Sequence, residues 1–350
     1  MSAKTIRVDV GGEHETPTDD GRAPAVSVII PVFNALGHLE SCIAGLQSLL
    51  PVDGGFEVII VDDGSRDGSG EVLSTLNTTL DLTVLLLSAN VGAAEARNVA
   101  IRHARGEYLW MVDADDRWPA HALRSLHDAA RAHDADVVIA QAQRLIVASG
   151  ERVPVSAPRP GAEFDRQGAL AAVLRGEIRG HLWNKLFRRS VVGQSPFPRL
   201  RSKSDYFAVI DIAARSDRSV TITDSVYEYV YQAGSISNSS IATPLDLFAC
   251  YDRAMAAIDD FGREEFPPVD VVRFGYFSIA QIALAETWRF GDRAVGADEV
   301  RARVRRLITV RGIATLVAHR RLREAALAAA MRFAPGILRR VFLAQRSHRW

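Results

Sequence analysis

Three aspartates within four residues are the side chains of this sequence best suited to chemistry. Asp113, Asp115 and Asp116 directly follow the apolar residues 108–112. Carboxylates held close together repel one another and lose hydration when they are buried, so a positive partner has to compensate their charge. Mg²⁺ and Mn²⁺ prefer such oxygen ligands and usually keep waters and substrate phosphates in their coordination shell. The cluster therefore predicts a divalent cation that carries phosphates. The alternative is a solvated acidic loop that caps a helix near Pro119.

Two more aspartates, Asp62 and Asp63, follow the apolar residues 57–61 and precede Gly64. Asp, Gly and Ser are the usual residues of turns, and Asp is a favoured helix cap, so on one interpretation this segment is a simple turn. On the other interpretation, a carboxylate at the end of a strand binds a ligand. The residues alone leave both interpretations open.

The elements that hold these aspartates alternate between strand and helix patterns. Runs of consecutive β-branched and other apolar residues are typical of strands buried on both faces of a parallel sheet. Such runs occur at residues 26–31, 57–61, 82–87 and 107–112. Segments with apolar residues at helical spacing lie between them, at residues 38–50, 71–76 and 92–105. This alternation predicts an α/β fold with a doubly wound, mostly parallel sheet, whose ligands bind beyond the carboxyl ends of the strands.

Composition and charge limit the class of protein. The chain has 350 residues, of which 48% are hydrophobic and 24% are charged, enough for one large core or two smaller ones. Lys and Arg number 42, and so do Asp and Glu, so the net charge predicts no nucleic-acid partner. Cys42 and Cys250 have no metal or disulfide spacing, which favours a reducing compartment, and no run of apolar residues is long enough to predict a membrane span. We therefore expect a cytoplasmic protein.

The two ends of the chain differ from its middle. Residues 1–24 mix Gly, Pro, Thr and acidic residues without a hydrophobic segment, which predicts a flexible tail. Residues 241–350 are rich in Ala, Leu and Arg and predict long helices, and residues 301–350 hold 13 arginines against the single acid Glu324. Basic amphipathic helices bind anionic membrane surfaces, so one interpretation is peripheral attachment to the inner face of the cell membrane. The other is a solvated basic face on helices that pack against the rest of the protein.

Four segments stand in a fixed order along the first half of the chain: VSVIIPVFN, VIIVDDGSRDGS, NVGAAEARNVAIRHARGEY and WMVDADD. Together they resemble the family 2 inverting glycosyltransferases of bacterial polysaccharide biosynthesis, which have the GT-A fold. The resemblance covers residues 26–145, and the segments HLWNKLFRR, KSDYF and YVYQAGSISNSS resemble the acceptor half of such enzymes less closely. It implies a GT-A domain at residues 25–240, with a nucleotide-sugar half at 25–145 and an acceptor half at 146–240, followed by the basic helical region at 241–350.

The resemblance implies how the first half of the chain holds a donor. Asp63 accepts a hydrogen bond from N3 of a uracil ring, and Pro31, Phe33 and Asn34 shape the pocket around the base and the ribose. Arg97 meets the diphosphate. From the sequence alone, Arg97 is equally well an ordinary surface arginine.

The same resemblance assigns roles to the aspartate cluster. Asp115 lies nearest the ribose and Asp116 nearest the metal, while Asp113 supports donor binding. The predicted cofactor is Mg²⁺ or Mn²⁺, which neutralises the departing diphosphate and so acts as a Lewis acid on the leaving group.

Inversion requires a base that removes the proton of the acceptor hydroxyl while the sugar moves. The resemblance points to Asp205 in the segment KSDYF, where Ser204 stands in place of the family's usual first acid. A helix cap is the alternative role for Asp205, and Asp211 is the second choice as base.

Trp183, Asn184 and Lys185 are predicted to frame the acceptor. An indole can stack on the face of a sugar, and a lysine can meet a phosphate. His181 has no neighbour in the sequence at ligand or triad spacing, so it is predicted to be structural.

These residues predict a metal-dependent enzyme that moves one sugar from a nucleotide-diphosphate sugar to a glycan or lipid-linked acceptor in cell-envelope polysaccharide synthesis. UDP is the expected carrier, with GDP and deoxythymidine diphosphate still open. The alternative is an inactive relative that binds nucleotide or glycan as an assembly partner, which Ser204 favours and the intact aspartates oppose. Dehydrogenases and P-loop NTPases are excluded because neither of their glycine-rich motifs is present. A nucleotidylyltransferase would need a glycine-rich basic loop after the first strand, where this chain has VFNALG.

Overall fold

The computed structural model of this protein describes residues 4–8, 23–155, 158–231, 243–291 and 294–346. Over this part of the chain the residues form two units. The first comprises Met1–Ala169, Arg179–Leu200 and Ser204–Ala233, and the second comprises Leu170–Ile178, Arg201–Lys203 and Gly234–Trp350. The predicted boundary at residue 240 lies outside the described residues.

The first unit is built on a sheet of ten described strands. They are β1 (Lys4–Val8), β2 (Val26–Val32), β3 (Phe56–Asp62), β4 (Leu82–Leu87), β5 (Tyr108–Met111), β6 (Val137–Ile146), β7 (Glu151–Val155), β8 (Glu163–Phe164), β9 (Lys185–Arg188) and β10 (Ser219–Tyr231). Their order is β1-β4-β3-β2-β5-β9-β6-β10-β8, and β7 pairs with β6. The first five strands pair in parallel, β9 runs antiparallel between β5 and β6, and β10 is parallel to β6. The carboxyl ends of β2, β3, β5 and β10 therefore lie at the same end of the sheet.

Helices connect these strands and cover both faces of the sheet. They are α1 (Leu36–Gln47), α2 (Ser69–Ser74), α3 (Ala93–His103), α4 (Ala122–His133), α6 (Arg189–Val192) and α7 (Ser204–Ala213). The remaining helix, α5 (Arg166–Leu174), begins in the first unit and ends in the second, to which Leu170–Ile178 belong. Val26, Val28 and Ile30 of β2 share one buried cluster with apolar residues of α1 and α4. Ile29 points to the opposite face, and α3 packs against β2 and β3. Because both faces are covered, the apolar run of β2 is continuous rather than alternating, as the sequence predicts.

The predicted flexible tail is wrong for residues 4–8. These residues form β1, which pairs in parallel with β4 from Lys4 opposite Thr83 to Val8 opposite Leu87. An edge strand presents unpaired backbone N–H and C=O groups, and any extended segment that reaches it can satisfy them. Such pairing depends on the backbone, so the short and partly charged sequence KTIRV carries little apolar signal for it. The rest of the predicted tail up to residue 22 lies outside the described residues.

The second unit is helical, as predicted. Its helices are α8 (Asp246–Phe261), α9 (Pro268–Arg273), α10 (Gln281–Phe290), α11 (Ala297–Leu307), α12 (Val310–Ala318), α13 (Leu322–Phe333) and α14 (Pro335–Arg346), with a π-helical segment, Phe274–Ala280, between α9 and α10. Residues 201–203 belong here rather than to the predicted acceptor half. Their contacts explain this, since Lys203 pairs with Glu286 at 2.7 Å and the backbone N–H of Ser202 donates to Asp246 at 2.8 Å. None of the described helices has the length and apolar character needed to cross a bilayer.

Candidate functional site

Asp63 directly follows β3 and holds the loop that precedes α3. Its buried carboxylate accepts hydrogen bonds from the backbone N–H groups of Val91 at 2.7 Å and Gly92 at 2.8 Å, and from the side chain of Asn90 at 3.0 Å. Gly64 has a φ of +70°, and a Cβ there would come within 2.8 Å of the Asn90 backbone nitrogen. Burial raises the pKa of Asp63, and the two backbone hydrogen bonds oppose this rise. The segment is therefore a tight turn, and a carboxylate with about four acceptor sites keeps capacity for a ligand.

The chain that leaves β2 is held by the loop after β3. Asn34 has a φ of +50°, its Oδ1 accepts a hydrogen bond from the backbone N–H of Arg66 at 2.8 Å, and its own N–H donates to Ser65 Oγ at 2.9 Å. Pro31 lies past the last residue pair between β2 and β5, so its missing N–H removes no hydrogen bond between these strands. Phe33 is 41% exposed. The predicted pocket residues thus form a fixed backbone that presents one open aromatic ring.

The aspartate cluster lies in the loop that follows β5. Asp115 is exposed and Asp113 is half-buried, whereas Asp116 is buried. Asp116 accepts hydrogen bonds from the hydroxyl of Tyr227 and from the backbone N–H of Val230, both at 2.8 Å. Burial and the charge of Asp113 raise the pKa of Asp116 to about 8, and the same two causes raise the pKa of Asp115. The alternative of a fully solvated acidic loop is therefore wrong.

Arg97 on α3 joins the aspartate cluster to the predicted base. Its side chain is buried, with Nη2 at 2.7 Å from Oδ1 of Asp113 and Nη1 at 3.1 Å from Oδ1 of Asp205. The ring of Phe197 lies 5.9 Å from the guanidinium carbon. This arginine is therefore not an ordinary surface residue. One guanidinium brings together side chains of α3, the loop after β5 and α7, which are far apart in the sequence.

Asp205 lies in the first turn of α7. A role as helix cap does not fit, because the residue is inside the helix and its carboxylate pairs with Arg97. Its side chain is 40% exposed, which leaves it accessible to a ligand. Partial burial raises the pKa of Asp205, while the charge of Arg97 opposes this rise and that of Asp113 adds to it. Asp211, the second choice as base, pairs instead with Arg215 one turn further along the chain.

Tyr227 on β10 is a site residue that the sequence analysis does not single out. Its buried hydroxyl donates to Oδ2 of Asp116 at 2.8 Å and accepts from the backbone N–H of Asp113 at 3.1 Å. It therefore ties two members of the cluster to β10, and its ring stacks on Trp118. The alternating tyrosines of the segment YEYVY place their side chains on one face of a strand, which is the only signal for this residue in the sequence. Residues 232–240 of the predicted acceptor segment lie outside the described residues.

The three residues predicted to frame the acceptor are in the interior of the first unit. Trp183 is buried, and its ring stacks on His181 at 4.6 Å and on Tyr227 at 4.7 Å. Lys185 is 1% exposed and donates hydrogen bonds to Asn184 Oδ1 at 2.9 Å and to the backbone oxygen of His181. Burial lowers the pKa of Lys185 to about 7. These contacts are structural, so the predicted acceptor contacts of Trp183, Asn184 and Lys185 have no support in this geometry.

The aspartate loop fits a divalent cation held by few protein ligands. In the described part of the chain, no three His, Cys, Asp or Glu side chains form a ready ligand set. Mg²⁺ needs no such set in a phosphate site, because one or two carboxylates with waters and substrate phosphates suffice. Asp115 offers an exposed carboxylate. A cation would also relieve the repulsion from Asp113 that raises the pKa values of Asp115 and Asp116.

Comparison with known proteins gives a family match that begins within β2. Residues 27–194 match the family model described as Glycosyl transferase family 2. The chain is 36% identical over 115 residues to the glycosyltransferase GlyG of Streptococcus pneumoniae serotype 4, covering 33% of this chain and 38% of that protein. It is 25% identical over 228 residues to the poly(ribitol-phosphate) beta-N-acetylglucosaminyltransferase TarS of Staphylococcus aureus strain Mu50, covering 63% of this chain and 38% of that protein. The matches thus span less than half the length of these two relatives.

A solved structure extends the likeness over most of the chain. The crystal structure of S. aureus TarS residues 1–349 with UDP-GlcNAc covers 92% of this chain and 91% of that one, with a TM-score of 0.67 and 21% identity. A likeness at this identity concerns the fold, and it confirms the predicted GT-A sheet with helices after it. The aspartate loop, Asp63 and Arg97 all lie within the residues matched by the family model. Residues 27–194 of this chain therefore belong to glycosyltransferase family 2.

Proposed function

We propose that the protein transfers one sugar from a UDP-sugar to a glycan or lipid-linked acceptor in cell-envelope polysaccharide synthesis, with inversion at the anomeric carbon. The observation that carries this proposal is the pair of ion contacts of Arg97, which keeps the accessible carboxylate of Asp205 beside the aspartate loop. A donor held by that loop would therefore lie next to Asp205. The names of GlyG and TarS, both glycosyltransferases, support the reaction class.

Asp205 is the proposed base. Its carboxylate takes the proton of an acceptor hydroxyl while the hydroxyl oxygen bonds to the anomeric carbon from the side opposite the diphosphate. The bond from that carbon to the diphosphate oxygen breaks, and its electron pair leaves with the diphosphate. A raised pKa favours proton uptake by Asp205, and the contact with Arg97 holds the carboxylate in place.

The donor is proposed to lie across the carboxyl ends of β2, β3 and β5. Asp63 accepts from N3 of the uracil ring through the acceptor capacity that its three hydrogen bonds leave. Phe33 packs on the base or the ribose, and Pro31 and Asn34 fix the backbone from which it projects. The UDP-GlcNAc bound to the similar TarS structure supports UDP over other nucleotides.

Asp115 and Asp116 are the proposed metal ligands, with Asp113 in support. When bound, Mg²⁺ or Mn²⁺ supplies Lewis-acid stabilisation of the negative charge that develops on the leaving diphosphate. Asp115 contributes an exposed carboxylate, and Asp116 keeps acceptor capacity beyond its two hydrogen bonds to β10. Arg97 contacts the diphosphate when the donor takes the place of Asp113, while the contact of Arg97 with Asp205 is kept.

A screen of nucleotide sugars for released nucleoside diphosphate, with and without Mn²⁺, tests the proposal. We expect turnover of a UDP-sugar that depends on the metal and rises when a glycan acceptor is added. The inactive relative, for which Ser204 is the argument, predicts UDP binding without turnover of any donor. That result would contradict the proposed transfer and support a binding partner.

A position on an anionic membrane surface is the second part of the proposal. Six apolar side chains of α12 to α14 are 48–67% exposed, namely Val310, Val317, Leu322, Phe333, Ile337 and Val341. Arg339 and Arg340 of α14 are exposed as well. Exposed apolar and basic side chains suit a membrane that carries negative headgroups, where each cation adds roughly 1 kcal/mol. Such a position would bring the enzyme to a lipid-linked acceptor.

Co-sedimentation of the full chain with vesicles tests this part. We expect binding to vesicles of phosphatidylglycerol and phosphatidylcholine, and weaker binding to phosphatidylcholine alone. A variant with Ile337→Asp and Arg340→Gln should lose most of the binding, whereas Arg152→Gln on β7 serves as the control for loss of one positive charge. Equal binding of the variant and the wild type would support the alternative of a solvated basic face.

A further inference from the structure

A row of aromatic and basic side chains begins at the candidate site and follows β10 along one face of the sheet. Tyr227, Tyr229 and Tyr231 alternate on this strand, so their side chains share a face. Arg144 lies opposite Tyr229 in the register of the neighbouring strand β6. Trp183, which precedes β9, packs against the same rings. We refer to these five residues as the aromatic row.

The members of the aromatic row contact one another in order. The rings of Tyr227 and Trp183 stack at 4.7 Å and 9°, and those of Trp183 and Tyr229 at 6.3 Å and 3°. The guanidinium carbon of Arg144 lies 5.9 Å from the ring centroid of Tyr229 and 5.8 Å from that of Tyr231. The hydroxyl of Tyr227 donates to Asp116, a proposed metal ligand. The row is therefore continuous with the donor site.

Exposure increases along the row from its inner to its outer end. Tyr227 and Trp183 are buried, Tyr229 and Tyr231 are half-buried, and Arg144 is exposed. The inner rings are thus part of the core, whereas the outer members present ring surface and a guanidinium to solvent. A guanidinium held over aromatic rings is pre-organised, because the rings restrict it while its N–H groups stay free to meet a ligand.

Positive charge is concentrated beside the aromatic row. His181 stacks on Trp183, and its pKa is lowered to about 4 by burial and then by the charges of Lys185, Arg179 and Arg144. No acidic group is among the causes of this shift. Arg179 and Arg144 are exposed, so their charge is available to a ligand on the same surface.

We propose that Tyr229, Arg144 and Tyr231 bind the acceptor, and that the acceptor is an acidic glycan. The C–H groups of a sugar ring pack on the electron-rich faces of the tyrosine rings, and Arg144 binds a phosphate or carboxylate of the glycan through paired N–H donors. An acceptor on the outer members of the row would extend toward the side of the site where Asp116 and the donor are proposed to lie, because the inner ring of Tyr227 contacts Asp116. The inference rests on the proposed function and names the acceptor class that this function leaves open. It replaces the acceptor contacts predicted for Trp183, Asn184 and Lys185.

Titration with two matched probes tests the proposal. Chitotriose and chitotriose 1-phosphate differ only in the phosphate, and their affinities for the full chain can be compared by NMR or calorimetry. We expect the wild type to bind the phosphorylated probe at least about fivefold more tightly, because hydrogen bonds to charged groups are stronger than those to neutral ones. Arg144→Gln should abolish this preference, and Arg144→Lys should keep part of it. Arg152→Gln, which removes an exposed arginine of the adjoining strand β7, should keep the full preference.

Variants of the tyrosines test the ring contacts separately. Tyr229→Leu and Tyr231→Leu should weaken both probes by a similar factor, since the sugar rings are common to the two. Equal affinity of the wild type for the two probes, binding of neither probe, or a preference retained in Arg144→Gln would overturn the proposal. A titration with UDP and Mn²⁺ on the same samples separates the two levels of failure. If UDP binds and the acceptor results fail, only the acceptor assignment is wrong, whereas absence of UDP binding to the wild type contradicts the proposed function itself.

Discussion

The loop after β5 and the turn before β9 place similar polar side chains at strand ends, yet their environments differ. In the loop, Asp115 is exposed and Asp113 shares the buried guanidinium of Arg97 with a second carboxylate. At the junction of the turn with β9, Asn184 and Lys185 are buried, and their hydrogen bonds end on neutral groups of the protein.

The partners of a polar side chain distinguish a ligand site from a polar cluster in the core. A polar group that is saturated by protein partners stabilises the fold and has nothing left for a ligand. A charged group that is partly exposed and close to like charges is destabilised by their repulsion, and a bound cation or ligand can relieve this repulsion. Both regions carry polar side chains next to a strand, and the partners of those side chains decide which region can bind a ligand.

The largest effect that the comparison predicts is for the base. Asp205→Asn should lower the rate of sugar transfer by about 10²- to 10⁴-fold, because an amide cannot take the proton of the acceptor hydroxyl. The affinity for UDP, measured by calorimetry, should change little. Asp211→Asn, on the same helix but paired with Arg215, is the matched control and should keep its activity. Full transfer activity of Asp205→Asn would contradict the assignment of Asp205, beside the aspartate loop, as the base.

The next effect concerns the exposed carboxylate. Asp115→Asn should weaken binding of UDP in the presence of Mn²⁺ by roughly 10- to 100-fold, because the metal has few protein ligands and loses one. UDP binding without metal and the midpoint of thermal unfolding should stay the same, since the side chain is exposed. Calorimetric titration with and without Mn²⁺ measures both affinities. An identical loss in the two titrations would show that Asp115 does not act through a cation.

The third prediction concerns the buried side chain of Lys185 and the pH dependence of stability. Its pKa is about 7 in the folded protein against an ordinary value of 10.5, so between these pH values the unfolded chain binds a proton that the folded protein does not. The free energy of unfolding therefore rises with pH in this window, and below about pH 7 the full cost of the buried charge is present. Lys185→Met should remove this rise. The variant should gain free energy of unfolding over the wild type, and this gain should be larger at pH 7 than at about pH 9.5 by on the order of 2 kcal/mol.

Urea unfolding of Lys185→Met and the wild type at the two pH values measures this difference. The rate of transfer should change by no more than about threefold, because no ligand contact is removed. A parallel pH dependence of the two proteins would mean that folding does not lower the pKa of Lys185. A large loss of transfer would mean that Lys185 contacts a ligand after all.

The smallest effect is predicted where the two regions meet. Tyr227→Phe removes the hydroxyl that links Asp116 and the backbone of Asp113, and should lower the free energy of unfolding by about 1–2 kcal/mol. The Michaelis constant for the donor should rise while UDP binding without metal is kept, because the loop is less well positioned. Tyr108→Phe, which removes a buried hydroxyl bonded to the backbone oxygen of Ala135, is the control for stability alone. Equal donor kinetics of the two variants would assign Tyr227 a purely structural role.

Much of the first half of the fold could be predicted from the sequence. Both faces of β2 and β3 are covered, so their apolar runs are long and unambiguous, and the polar residues after them mark where the strands end. The pairing of β1 could not be predicted, because it rests on the backbone of an edge strand rather than on a side-chain pattern. The partners of Arg97 could not be predicted either, since Asp205 lies 108 residues away along the chain.

Three features can be read from the sequence alone, namely the order of strands and helices, the family of residues 27–194 and the aspartates that a cation would need. These features are local, since they depend on the spacing and type of neighbouring residues. The tertiary structure, in contrast, sets which polar side chains are available to a ligand. It buried Asn184 and Lys185, opened Asp115 and Asp205, and aligned Arg144 with the tyrosines of β10, because burial and hydrogen-bond partners arise from strands that meet only when the sheet has formed.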